Sequence, residues 1–177
     1  MDPFALWITG MPGSGKSTVS DEIKKIHPDL IVLRMDEMRK IVTPEPTYSE
    51  QERDIVYRAL VYTAWTLVDN GHSLIIDATG NFRKWRDLAR QLIPNYAEVY
   101  LKCPLELCMA RERMRADTHC APRDVYQKAG AGWPVPGVSA PYEEPVNPEL
   151  LIEVDRTFMP EAVRAVEALI KTLQNDL

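Results

Sequence analysis

The stretch Gly10-Met11-Pro12-Gly13-Ser14-Gly15-Lys16-Ser17-Thr18 constrains this chain more than any other. It fits G-x-x-x-x-G-K-[ST], a loop whose consecutive backbone N–H groups cradle phosphates. Such a match carries meaning only between a strand and a helix, and both flanks qualify. Phe4-Ala5-Leu6-Trp7-Ile8-Thr9 is apolar and β-prone, and Thr18 to His27 sets Val19, Ile23 and Ile26 at helical spacing. Strand, glycine loop and helix N-terminus together surround a polyphosphate, so the chain is expected to bind a nucleoside triphosphate along Gly10 to Thr18. Lys16 should reach the β- and γ-phosphates, and the Ser17 hydroxyl should ligate Mg²⁺.

At 177 residues the chain suits one domain, 1–177, with a sizeable core. Its formal net charge of −5 gives no global pull toward nucleic acid or an anionic membrane. Met1-Asp2-Pro3 is not the basic opening of a signal peptide, and no apolar run approaches the ~18 residues of a membrane span. A cytoplasmic location is the expectation, in keeping with a site that draws on cellular ATP. Cys103, Cys108 and Cys120 are an odd count without paired-ligand spacing; they read as reduced thiols, and His119 beside Cys120 lacks the C-x-x-C partner of a zinc site.

Further along, Leu30-Ile31-Val32-Leu33 reads as a buried parallel strand. It runs into Arg34-Met35-Asp36-Glu37-Met38-Arg39. Ligands of open parallel sheets sit beyond the carboxyl ends of the strands, which places Asp36 and Arg39 toward the phosphates. Asp36 has a second reading, as the cap of a short helix carrying Met38 and Ile41. Thr43 to Thr47 breaks the chain at two prolines, and Ser49 with Glu52 forms a capping box. The helix it opens keeps its period through Ile55, Ala59, Leu60, Thr63, Leu67 and Val68, and stops at Asn70-Gly71. Arg53 and Arg58 lie on it, one of them expected to be solvated.

Ser73-Leu74-Ile75-Ile76 is the third strand, and Asp77 at its end is a second acid placed to help hold Mg²⁺ through water. Phe82 to Ile93 is helical, with Arg83, Arg86 and Arg90 near one face, either anion-facing or solvated. Ala97 to Leu101 is the fourth strand, Pro104 opens a helix carrying Arg111 and Arg115, and Leu150 to Val154 is the fifth strand. A C-terminal helix follows over Pro160 to Leu173. Between them, about residues 116–148, lies a long Pro- and Gly-rich stretch with Tyr126, Trp133 and Tyr142; it reads as a lid. Strands alternating with helices predict an α/β fold: a parallel five-stranded sheet sandwiched by helices, as in small P-loop kinases.

The later half resembles the adenylylsulfate (APS) kinases. Pro104-Leu105-Glu106-Leu107-Cys108-Met109-Ala110-Arg111 stands where that family has Pro-Leu-Glu-x-Cys-x-x-Arg, and Pro122 to Ala129 is similar to its lid segment. Ala140-Pro141-Tyr142-Glu143-Glu144-Pro145-Val146-Asn147-Pro148-Glu149-Leu150 nearly repeats its Ala-Pro-Tyr-Glu-x-Pro-x-Asn-Pro-Glu-Leu motif. The family's Asp-Gly-Asp-x-x-Arg keeps its second Asp and its Arg as Asp36 and Arg39, while the first Asp is Arg34. Its Phe-Ile-Ser-Pro is replaced by Ala78-Thr79-Gly80-Asn81 and its lid Phe-Thr-Gly by Val135-Pro136-Gly137, so both phenylalanines of the family's adenine clamp are absent.

The resemblance implies transfer of the γ-phosphate of Mg·ATP to a hydroxyl of a small anionic acceptor, APS or another nucleotide-linked or sugar-like metabolite. It makes Lys16, Asp36 and Arg39 the catalytic set, and Ser17, Asp36 and Asp77 the metal set. Arg111 joins the nucleotide site. Arg53, Arg58, Thr79, Lys128 and Trp133 join Asp36 and Arg39 at the acceptor. A homodimer is compatible with the family. A nucleotide-binding regulatory module with little turnover is the alternative from a different class.

Overall fold

A computed structural model of the chain describes residues 2–115 and 119–175. The element order is β1 (Ala5–Thr9), α1 (Lys16–Ile26), β2 (Ile31–Arg34), α2 (Met35–Val42), α3 (Glu50–Asp69), β3 (Leu74–Asp77), α4 (Arg83–Leu92) and β4 (Tyr96–Lys102). It continues with α5 (Leu105–Arg113), α6 (Val125–Ala129), β5 (Leu150–Glu153) and α7 (Met159–Asn175). The strands form one sheet in the order β2-β3-β1-β4-β5, every pairing parallel. The α/β sandwich expected from the strand–helix alternation is what forms.

Each strand alternates its side chains between two layers, as the period of two demands. Leu6 and Ile8 of β1 join Ile75, Val99 and Ile152 under α1 and α7, whose Val19, Ile23, Val166 and Ile170 close that layer. Ala5 and Trp7 turn the other way with Leu74 and Ile76, against Val56, Leu60 and Ala64 of α3 and Trp85 and Ala89 of α4. Each fully buried Leu, Ile or Val contributes about 1.5–3 kcal/mol relative to exposure, so the two layers hold the sheet rigid beneath the site.

Three sequence readings need correction. Ile55, counted with the apolar period of α3, is 56% exposed, because the buried stripe runs one residue later through Val56, Leu60, Ala64 and Val68. The capping box forms by half: Ser49 Oγ accepts from Glu52 N at 3.2 Å, but Glu52 turns to Thr47 and Arg39 instead of closing back on Ser49. Of Arg83, Arg86 and Arg90, the first and last are exposed, as a solvated face would have them, but Arg86 is not. Arg86 is 1% exposed and pairs with Glu98 at 2.8 Å, while Arg90 holds Glu149 and Arg83 lies 3.9 Å from Glu143.

The expected lid is more ordered than its composition suggests. Residues 116–118 lie outside the described residues, but the remainder contains α6 and an isolated bridge between Pro136 and Ala140. Tyr126, Val135, Cys103 and Cys108 build a small satellite core, in which burial pushes the Cys108 thiol up to about 12. The Ala140 to Glu143 motif fastens the far end. Asn81 Nδ2 donates to Pro141 O at 2.9 Å, Glu143 N donates to Asn81 O at 2.8 Å, and Arg86 donates to Glu143 O. Thr9 Oγ1 donates its single proton to Thr79 O at 2.6 Å, so the Tyr142 hydroxyl is the donor in its 2.9 Å bond to Thr9.

Candidate active site

A cavity of about 490 Å³ opens at the carboxyl ends of β1, β2 and β3, within the range of small-molecule sites. The phosphate loop forms its floor. Gly13 has φ +82, and a Cβ there would stand 2.3 Å from Cys108 O, so only glycine lets the loop lie against α5. Gly15 precedes α1, whose first turn has no acidic residue and no side-chain cap, leaving its amides to a bound anion. Lys16 folds back along the loop, its Nζ donating to Gly10 O and Met11 O at 3.0 Å each. Burial lowers its pKa, opposed by the charges of Asp77 and Asp36.

Ser17 and Thr18 of α1, Asp36 of α2 and Asp77 of β3 line the same cavity. Asp36 is the second residue of α2 rather than its cap, a role taken by Arg34. Desolvation raises its pKa, with Lys16 and Arg39 pulling the other way. A carboxylate so placed is a stronger proton acceptor than one in water, which suits a group facing an acceptor hydroxyl. Among the described residues no three His, Cys, Asp or Glu side chains cluster as a metal cage. Mg²⁺ needs none, since it fills most of its shell with phosphate oxygens and water; Ser17 with Asp77 and Asp36 is a donor set of the right hardness.

The rest of the lining differs more from expectation. Arg39 and Arg53 both line the cavity, and both are already engaged. Arg39 pairs with Glu52 at 2.8 Å, and Arg53 donates to the lid carbonyl of Pro134. Thr79 sits on a shelf held from below: Trp7 Nε1 donates to Ala78 O and Gly80 N donates to the Tyr57 hydroxyl, each at 2.9 Å. Gly80, at φ +53, has the Trp7 ring 2.8 Å from where a Cβ would be. Trp133 and Arg111 reach the cavity as expected, and Arg34, Tyr48, Arg115 and Met159 join them. Arg115 has a visible signal, one turn beyond Arg111; Tyr48 and Met159 have none that local periodicity reveals.

Two expected contacts are corrected. Arg58 is exposed on α3 and lies outside the cavity, because the helix turns it away from the face carrying Arg53 and Tyr57. Lys128 also lies outside the cavity lining, with its ammonium 4.8 Å from the Trp133 ring centroid. Gly10, Met11 and Ser14 form the back of the loop rather than its open surface.

A parallel sheet with a glycine phosphate loop, an acid at the end of β3, another in the first turn of α2 and a packed Pro- and Gly-rich segment beside the cavity defines a P-loop kinase. The comparisons narrow the class. The model of the adenylylsulphate kinase family matches residues 2–153, and the chain belongs to that family. A probable adenylyl-sulfate kinase of Archaeoglobus fulgidus is 35% identical over 159 residues, covering 86% of this chain and 97% of that protein. One of Halalkalibacterium halodurans is also 35% identical, covering 93% and 81%. The structure of the Mycobacterium tuberculosis APS kinase in complex with AMPPNP and APS superposes with a TM-score of 0.80 at 28% identity, covering 96% of this chain and 98% of that one.

Proposed function

We propose that the protein is an adenylylsulfate kinase, transferring the γ-phosphate of ATP to the 3′-hydroxyl of APS to give PAPS (3′-phosphoadenylyl sulfate) and ADP. The observation that carries this reading is the convergence of Lys16, Ser17, Asp36 and Asp77 on one lidded cavity in a chain of that family. Lys16 exchanges the Gly10 and Met11 carbonyls for the β- and γ-phosphates. The loop amides and the α1 N-terminus hold the remaining phosphate charge. Asp36 orients the acceptor hydroxyl and takes its proton as the phosphoryl group moves. Arg39 and Arg53 bind the acceptor's anionic groups with donors not used by Glu52 and Pro134.

Mg²⁺, held by Ser17 and through water by Asp77, would neutralise charge on the transferring group. The transition state is loose, so the protein contributes chiefly position and charge. Residues 119–148 act as the lid that excludes water, and ATP dependence puts the activity in the cytoplasm. Ala78 and Val135, standing where the family has phenylalanines, favour a second reading: a kinase of the same build for a different small anionic acceptor. ADP release from ATP, measured with APS and then with a panel of hydroxylated metabolites, separates the two. Lys16→Ala should abolish release with every acceptor.

A further inference from the structure

The parallel register of β2 and β3 sets Arg34 directly beside Asp77 at the carboxyl ends of both strands. Arg34 Nη1 donates to Asp77 Oδ2 at 2.8 Å, and only 12% and 6% of the two side chains is exposed. The guanidinium is fully engaged by carboxylates: Nη2 also pairs with Asp21 of α1, and Nε lies 3.5 Å from Glu37 of α2. Asp21 in turn is 3.1 Å from His119 Nε2, where the described part of the lid begins. One side chain therefore ties β2, β3, α1 and α2 together at the edge of the phosphate site.

From this geometry we propose that Arg34 is a positioning residue for Asp77. It grips the carboxylate by Oδ2, fixes its plane, and leaves Oδ1 to a cation or its water. A carboxylate with no such grip is free to rotate, and a buried one without a counter-charge is costly. Arg34 does not close the site to metal. Three carboxylates surround one guanidinium, so the cluster keeps its negative balance and still attracts a divalent ion. It does temper that attraction, since a fixed positive charge stands next to the acid that faces the ion. The aspartate that the family carries at this place can do neither, so Arg34 sets the balance between metal affinity and acid orientation in this chain. This inference rests on the kinase reading for its catalytic half alone.

The test compares Arg34→Met, which removes the charge but keeps the stem, with Arg34→Lys, which keeps the charge but loses the fork. Mn²⁺ alone is titrated into the nucleotide-free protein by electron paramagnetic resonance, and turnover is measured with ATP and APS at saturating metal. In Arg34→Met, Mn²⁺ should bind roughly tenfold tighter because a repelling charge is gone. Its kcat should fall by at least about tenfold because Asp77 has lost its orientation. In Arg34→Lys, Mn²⁺ affinity should stay near that of the parent while kcat remains low. A purely structural role would lower affinity and kcat together. Unchanged Mn²⁺ affinity in Arg34→Met, or parental kcat in Arg34→Lys, overturns the proposal. A parent protein that binds Mn²⁺ but never turns over APS overturns the acceptor reading instead, and the metal titration still decides the role of Arg34.

Discussion

The ring of Tyr48 lies 4.7 Å from the ring of Trp133, tilted by 38°, and joins the start of α3 to the lid across the cavity. The Arg39 guanidinium lies over the Tyr48 ring at 4.9 Å, and the Lys128 ammonium over Trp133 at 4.8 Å. Under the proposed function these two rings, with Tyr57 also lining the cavity, offer aromatic surface to the acceptor base. Base stacking contributes roughly 1–3 kcal/mol, so Trp133→Ala should raise the KM for APS about tenfold. The KM for ATP should stay unchanged. Steady-state kinetics with each substrate varied checks it, and an unaltered KM for APS would show that the base binds elsewhere.

Arg53 and Arg58 share α3 but not the cavity, which gives a matched pair of substitutions. Arg53→Ala removes a charged donor from both acceptor and lid, at about 1.5–3 kcal/mol, so kcat/KM for the acceptor should fall roughly ten- to hundredfold. Arg58→Ala should leave it within about twofold, as surface changes do. Equal losses in both variants would contradict the placement of Arg58.

Asp36 should cost the empty protein stability while serving transfer. Its pKa is raised above the ordinary 3.8 by desolvation, so the folded state loses stability as pH rises through the raised value. Asp36→Asn should therefore melt higher than the parent at pH 7–8 without ligands, and the gap should shrink as pH falls toward 3.8. ATP binding should survive and transfer should not. In the parent, kcat/KM should climb with pH as Asp36 of the free protein loses its proton. Melting curves across pH, with turnover alongside, read both effects.

The buried Arg86–Glu98 pair predicts a stability defect away from the chemistry. Removing one partner of such a pair costs up to about 3–5 kcal/mol, reduced here because Arg90 Nη2 still lies 3.7 Å from Glu98 Oε2. Arg86→Met should show that loss in urea unfolding. Arg86 also holds Glu143 O, so the variant should loosen the far end of the lid, raising protease sensitivity near Pro141.

How much of this was legible in the sequence depends on range. The loop from Gly10 to Thr18, the acids Asp36 and Asp77, and the alternation of strands and helices are local patterns, and they led to the observed fold and to residues that meet at one cavity. Arg34 was visible as a departure from the family, but its partner was not, because only the order β2-β3-β1 brings Asp77 beside it. Arg86 read as surface because helical spacing says nothing of Glu98 on β4 or the Glu143 carbonyl. Tyr48 and Trp133 meet only once the lid packs down. The lid itself looked irregular because its order comes from Tyr126 donating to Pro12 O at 2.6 Å and from the satellite core, contacts that span the chain.

Under the proposed function, a donor site of ordinary build phosphorylates APS through an acceptor site of altered build. The most direct test is to incubate the pure protein with ATP, Mg²⁺ and APS, and to measure ADP and PAPS together. Equal amounts of both are expected, with neither formed by Lys16→Ala or Asp36→Asn. ADP formed with another hydroxylated anion but not with APS, or ATP bound with no acceptor-dependent ADP at all, would contradict that function.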